Sequence, residues 1–206
     1  MRTRVTVLTG GMEQEHGSVR VVRARRPLPA GRVKIGSQVI TSDNRRGTLV
    51  GMSVSNDRVV VEDPSVYYGK RSFNLNQIAV TQGCVEGICV GDSVVTSDLR
   101  EGRVVGFFAD KRIVVEDPSV YYGLRQFTID KLGIKEGCSD LFCIGDRVIT
   151  GDNREGEVIA FNYNGSIVVK DPSVYYGNRN WDERKISLTR GVCANIFVER
   201  VEFCRR

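Results

Sequence analysis

The chain has 206 residues, 41% hydrophobic and 27% charged, a balance that fits a water-exposed fold with a packed core. Its apolar runs are short, Val59–Val61 being typical, and this excludes a membrane-crossing helix. The net charge of +5 raises a nucleic-acid partner, but residues 1–35 carry a net +6 and residues 36–206 a net −1. The basicity belongs to the first segment, and composition gives the rest of the chain no basic face.

Residues 1–34 resemble nothing later in the chain. Arg4–Thr9 alternates weakly, as a short strand would. Ser18–Lys34 gathers Arg20, Arg23, Arg25, Arg26, Arg32 and Lys34 around Pro27 and Pro29, which oppose both helix and central strand. The expectation is a partly disordered basic leader. It lacks the 7–15-residue apolar stretch of a signal peptide.

From residue 35 the chain repeats. Asp-Pro-Ser-Val-Tyr-Tyr-Gly stands at Asp63–Gly69, Asp117–Gly123 and Asp171–Gly177, at intervals of 54 residues, and holds six of the seven tyrosines. A seven-residue identity at a fixed period marks a tandem array. The predicted units are residues 35–88, 89–142 and 143–206, the last with a C-terminal extension. Each opens with a β-branched run: Gln38–Thr41, Ser93–Thr96, Arg147–Thr150. A polar turn follows, ending in Gly47, Gly102 or Gly156, where glycine is expected to supply a positive φ. Second strands are predicted at Thr48–Ser53, Arg103–Phe108 and Glu157–Asn162. Hairpin turns at Asn56-Asp57, Asp110-Lys111 and Asn164-Gly165 lead to third strands ending at Glu62, Glu116 and Lys170. After the tyrosine motif come Arg71-Ser72-Phe73, Arg125-Gln126-Phe127 and Arg179-Asn180-Trp181, then a short closing stretch such as Lys185–Thr189. Short strands and tight turns with little helix predict an all-β fold.

Gly145–Thr150 (Gly-Asp-Arg-Val-Ile-Thr) followed by Gly156–Ala160 (Gly-Glu-Val-Ile-Ala) resembles the opening of SH3-like barrels of the KOW and Tudor kind. The same signature stands at Gly91-Asp92 with Gly102-Arg103-Val104, and more loosely at Gly36 with Gly47-Thr48-Leu49. The resemblance implies three tandem SH3-like β-barrels. Bacterial SH3-like barrels often act as appended binding modules, and a Tudor-like barrel implies an aromatic cage for a methylated cation. The turn at Asp43–Gly47 has no aromatic to start such a cage.

Six cysteines fall at the ends of the repeats: Cys84 and Cys89, Cys138 and Cys143, Cys193 and Cys204. Local disulfides are expected, fixing the angle between adjacent units and stapling small cores. Reduced buried cysteines and a zinc site are the alternatives, and with no histidine near any pair no metal is expected. Disulfides imply an oxidising compartment, so a periplasmic or secreted placement is expected, on the supposition that a signal peptide is missing from this chain; the cytoplasm is the alternative.

The tyrosine motif has a structural reading, a turn in which one tyrosine points inward, and a functional one. On an extended segment neighbours face opposite ways, so one tyrosine of each pair is expected outward. The candidate ligand-binding set is Tyr67, Tyr68, Arg71 and Phe73; Tyr121, Tyr122, Arg125 and Phe127; and Tyr175, Tyr176, Arg179 and Trp181. With one histidine and no base beside any cysteine, no catalytic constellation assembles and no cofactor is implied. The expected function is a monomeric, non-enzymatic, multivalent binding protein engaging a protein, peptide or cell-envelope polymer. A KOW-type nucleic-acid binder anchored by its leader, and a structural spacer, are the alternatives.

Overall fold

The computed structural model describes residues 33–53, 57–67, 69–121, 123–174 and 177–190. They form an all-β, antiparallel fold. The first unit is β1 (Gln38–Thr41), β2 (Arg46–Ser53), β3 (Arg58–Glu62), β4 (Lys70–Asn74) and β5 (Ile78–Val80). β1 to β4 make a meander, with Val39 opposite Gly47, Leu49 opposite Val61 and Val59 opposite Phe73. A single 3-10 turn, Leu75–Gln77, then swings β5 back beside β1, pairing Ile40 with Ala79. The order across the unit is therefore β5-β1-β2-β3-β4. A two-strand hairpin, β6 (Cys84–Val85) and β7 (Ile88–Cys89), follows.

The second unit repeats this pattern with β8 (Ser93–Thr96), β9 (Glu101–Phe108), β10 (Ile113–Glu116), β11 (Leu124–Phe127) and β12 (Leu132–Ile134). The third has β13 (Arg147–Thr150), β14 (Glu155–Asn162), β15 (Ile167–Lys170), β16 (Asn178–Trp181) and β17 (Ile186–Arg190). The 3-10 turns Ile129–Lys131 and Glu183–Lys185 precede β12 and β17.

The expectation of three closed barrels needs correction. Among the described residues no hydrogen-bonded pairing closes a unit's fourth strand onto its fifth. Instead the first two fifth strands offer their outer edges to the next unit: β5 pairs Ala79 with Phe108 of β9, and β12 pairs Ile134 with Phe161 of β14. Apart from the β6–β7 hairpin, the described strands thus join into one open 15-stranded sheet. The physical reason lies in the second strands. Each carries a bulge, between Leu49 and Gly51, opposite Val114 and Val115, and between Val158 and Ala160. A bulge bends the strand. Its first half pairs within the unit, and in β9 and β14 its second half pairs with the preceding unit.

The curled sheet still wraps one core per unit. Val39, Leu49, Val59, Val61, Phe73 and Ile78 pack together in the first. Val148, Val158, Phe161, Ile167 and Val169 do so in the third. Two further clusters lie between units: Ile40 and Ala79 against Phe108, Val114 and Leu124, and Val95 against Ile159, Ala160 and Val168. Burying an aliphatic or aromatic side chain contributes about 1.5–3 kcal/mol, so these contacts tie the units into one body.

The polar turns also differ from expectation. The positive φ falls on Asn44 (61°), Leu99 (64°) and Asn153 (62°), not on the glycines after them. Gly47, Gly102 and Gly156 are instead inside the second strands, starting two residues earlier than predicted. A Cβ on Gly102 would meet the Val115 side chain and lie 2.9 Å from the Glu116 carbonyl oxygen. These glycines are required by the close approach of the third strand.

Both described cysteine pairs form disulfides, Cys84–Cys89 and Cys138–Cys143; Cys193 and Cys204 lie outside the described residues. Each bond closes a short loop rather than bridging two units. The loops pack forward: Ile88 is buried in the core of the second unit and Phe142 in that of the third. The aspartate of each Gly-Asp signature holds this loop, Asp92 accepting from the Cys89 N–H at 2.8 Å and Asp146 from the Cys143 N–H at 2.7 Å. Among the described residues no helix is long and apolar enough to cross a membrane.

Candidate functional site: the tyrosine turns

After β3 the chain must reverse into β4, and the repeated motif makes that reversal. The Asp63 N–H donates to the Gly69 carbonyl at 2.7 Å, and the Gly69 N–H to the Val66 carbonyl at 3.0 Å. The same pairs recur at Asp117 and Gly123 (2.8 and 3.0 Å) and at Asp171 and Gly177 (2.6 and 3.0 Å). The glycines take φ of 65°, 67° and 70°, where a side chain would be strained. The motif is thus a closed loop, not an extended segment.

The aspartates anchor the loop from inside. Asp63, Asp117 and Asp171 are buried. In each, one carboxylate oxygen accepts both the N–H and the hydroxyl of the serine two residues on: Ser65 (2.8 and 2.6 Å), Ser119 (2.9 and 2.6 Å) and Ser173 (2.8 and 2.5 Å). Burial works to raise the Asp117 carboxyl, and the Ser119 donors with Arg125 outweigh it and hold it below its ordinary value. The Ser173 hydroxyl, against a smaller opposing effect of burial, lowers Asp171.

The loop leans on the polar turn after the first strand. Arg45 donates to Ser65 Oγ at 3.1 Å, Arg100 to Ser119 Oγ at 3.1 Å and Arg154 to Ser173 Oγ at 3.3 Å. In the same turn Asp43, Asp98 and Asp152 each accept a threonine hydroxyl at 2.6 Å, from Thr41, Thr96 and Thr150. Their other oxygen takes the motif's following arginine: Arg71 at 2.5 Å, Arg125 at 2.7 Å and Arg179 at 2.5 Å. Burial opposes the lowering of Asp43 and Asp98, and the threonine and arginine donors overcome it. In Asp152 the Thr150 hydroxyl is the leading cause, with Arg179 next.

The sequence-derived site residues therefore separate. Arg71, Arg125 and Arg179 are held by aspartates and lie 4.8, 4.8 and 4.7 Å over the rings of Phe73, Phe127 and Trp181. Phe73 and Phe127 are buried core residues. The tyrosines are placed differently: Tyr67 is 96% and Tyr121 95% exposed, at equivalent points of their loops. Tyr68, Tyr122, Tyr175 and Tyr176 lie outside the described residues. The Thr–Asp–Arg ladder beside the loop went unread in the sequence, although Thr-x-Asp stands at Thr41, Thr96 and Thr150, once in each unit.

The loops are not isolated from one another. Gln126, just after the second loop, donates to the Ser42 carbonyl at 2.9 Å and to Asn44 Oδ1 at 2.7 Å in the first unit's turn. Asn178, just after the third, donates to the Leu99 carbonyl at 3.0 Å in the second unit's turn. Tyrosine loop and polar turn therefore alternate through the array in one chain of contacts. Beside it, a groove of about 360 Å³ runs between the first two units past Arg46, Arg103 and Glu116. Among the described residues no group of three or more His, Cys, Asp or Glu side chains is placed to hold a metal ion. The chain matches no protein-family model, and no curated protein matches it.

Proposed function

We propose that the protein is a non-enzymatic, multivalent binding protein whose three SH3-like units present tyrosine loops to a protein, peptide or cell-envelope polymer. The observation that carries this reading is the placement of Tyr67 and Tyr121, 96% and 95% exposed on loops anchored by the buried Asp63 and Asp117. A rigid ring on a braced turn offers broad, amphipathic contact at little entropic cost. Repetition suits avidity: linked sites raise affinity without new contacts. The SH3-like description is supported by the strand order of each unit and by the 3-10 turn before its fifth strand. The two disulfides support an extracytoplasmic placement.

The test compares the parent chain with Tyr67→Ala/Tyr121→Ala/Tyr175→Ala. Both are presented to insoluble cell-wall polymer in co-sedimentation and to a displayed random-peptide library. The parent is expected to bind one of these, and the triple variant to lose it. Equal binding by both would reject the tyrosine loops. Retention of labelled duplex DNA or RNA at low salt, undiminished in the triple variant, would instead favour the nucleic-acid alternative.

A further inference from the structure

The units differ in charge where two of them meet. Equivalent positions read Arg46, Glu101 and Glu155; Thr48, Arg103 and Glu157; Glu62, Glu116 and Lys170. The groove of about 360 Å³ between the first two units gathers Arg46, Arg103 and Glu116. Arg46 and Glu116 pair with each other across the junction at 2.7 Å. Arg103 is exposed and, among the described residues, makes one hydrogen bond, from Nε to the Gly91 carbonyl at 3.1 Å, and pairs with no carboxylate. That bond pins the guanidinium against the groove and leaves both terminal nitrogens as donors.

The rest of the groove supplies an acceptor and an apolar floor. Gln38 lines it and donates from Nε2 to Thr48 Oγ1 at 2.9 Å, which leaves Oε1 to accept. Val90 and Val105, both partly buried, form apolar ground between the polar groups. A cation with a two-nitrogen fork, an amide oxygen and a small apolar floor match three groups that sit on one carbon at the end of a peptide: carboxylate, N–H and side chain. We propose that this groove captures the C-terminal carboxylate of a peptide ending in an apolar residue, with Arg103 as the fork that holds it.

The charge of the groove selects against other anions. Two arginines and one glutamate leave it a single positive charge, which suits a carboxylate. A phosphate dianion would bring its second charge beside Glu116. A plain fatty acid has the carboxylate and the apolar chain but no N–H for Gln38. The volume holds a peptide end and not a folded partner.

The second junction is not a copy of this site. Where the first has Arg46 and Arg103, the second has Glu101 and Glu157, and Lys135 is spent on Glu101 at 2.5 Å. Two glutamates there repel a carboxylate. The site therefore occurs at one junction of the chain, whereas the tyrosine motif occurs in every unit, and it does not depend on what the tyrosine loops bind.

The test is an NMR titration of the full chain with an N-acetylated tripeptide ending in leucine, its C-terminal amide, and hexanoate. The free-acid peptide is expected to shift the amides of residues 90–91 and 103–105 saturably, and to leave residues 144–145 and 157–159 in place. The amide and hexanoate are each expected to bind at least about tenfold more weakly, since a charge-assisted pair or a hydrogen bond is lost. Arg103→Gln should lose the binding, Arg103→Lys should keep part of it, and Tyr67→Ala/Tyr121→Ala should match the parent. Equal binding of acid and amide, full affinity in Arg103→Gln, or no saturable shift at residues 90–91 and 103–105 would overturn the proposal. Hexanoate binding as tightly as the peptide would overturn it in favour of a plain carboxylic acid, and equal shifts at both junctions would overturn the assignment to this groove.

Discussion

Asp171 gives the sharpest stability prediction, because the single tryptophan of the chain, Trp181, lies in the strand that follows its loop. Replacing Asp171 by Ala removes the acceptor of two hydrogen bonds, from the Ser173 N–H at 2.8 Å and its hydroxyl at 2.5 Å. Hydrogen bonds to a charged group are worth about 1.5–3 kcal/mol each. Ser173 is exposed, so its donors recover bonds to water and the lower end applies. The expected loss for Asp171→Ala is about 3 kcal/mol; Asp171→Asn, which keeps an acceptor of the same shape, is expected to lose about half as much. Equilibrium urea unfolding followed by Trp181 fluorescence reads both. An Ala variant within about 0.5 kcal/mol of the parent, the range of an ordinary surface substitution, would refute the claim that this aspartate anchors the loop.

Three further outcomes follow from the same geometry. Gly102→Ala, whose Cβ would crowd the Val115 side chain and approach the Glu116 carbonyl oxygen to 2.9 Å, is expected to cost about 1–3 kcal/mol by overpacking; a urea midpoint equal to the parent's would contradict this. The carboxyls of Asp43, Asp98, Asp117, Asp152 and Asp171 are held below their ordinary 3.8, so the stability they confer is present above that value and lost as pH falls through the lowered ones. The urea midpoint should therefore be flat from about pH 5 to 7 and fall below about pH 4; a midpoint that rises on acidification would be inconsistent. Finally, thiol titration of the denatured, unreduced protein should find no more than two of the six cysteines free. Reduction should cost about 2 kcal/mol per short loop on the chain-entropy estimate; six free thiols would remove both the staples and the argument for an oxidising compartment.

The strands were legible because their cause is local. Val-Ile-Thr and Ile-Val-Val runs between turn residues can hardly do otherwise, and Gln38–Thr41, Ser93–Thr96 and Arg147–Thr150 fall where the sequence puts them. The period fixed how many times each element occurs. What the sequence withheld depends on three-dimensional neighbours. Nothing local shows that Gly102 lies under Val115, so its glycine was read as a turn residue. Nothing local shows that Ala79 has a second edge paired to Phe108: short strands must close on themselves or pair with a neighbour, and only the resemblance to SH3-like barrels pointed to closure. In the site, the repeated tyrosines were conspicuous, but adjacency in sequence suggested one shared surface with Arg71 and Phe73. The fold instead turns the arginine onto Asp43 and the phenylalanine into the core, while Tyr67 faces solvent.

The central claim is multivalency through equivalent tyrosines, and the most direct measurement is the affinity of single and combined variants for the polymer or peptide that the parent binds. Tyr67→Ala and Tyr121→Ala are each expected to weaken binding about tenfold, roughly 1.4 kcal/mol, and the triple variant with Tyr175→Ala to lose it. Unchanged affinity in all three variants would contradict the account.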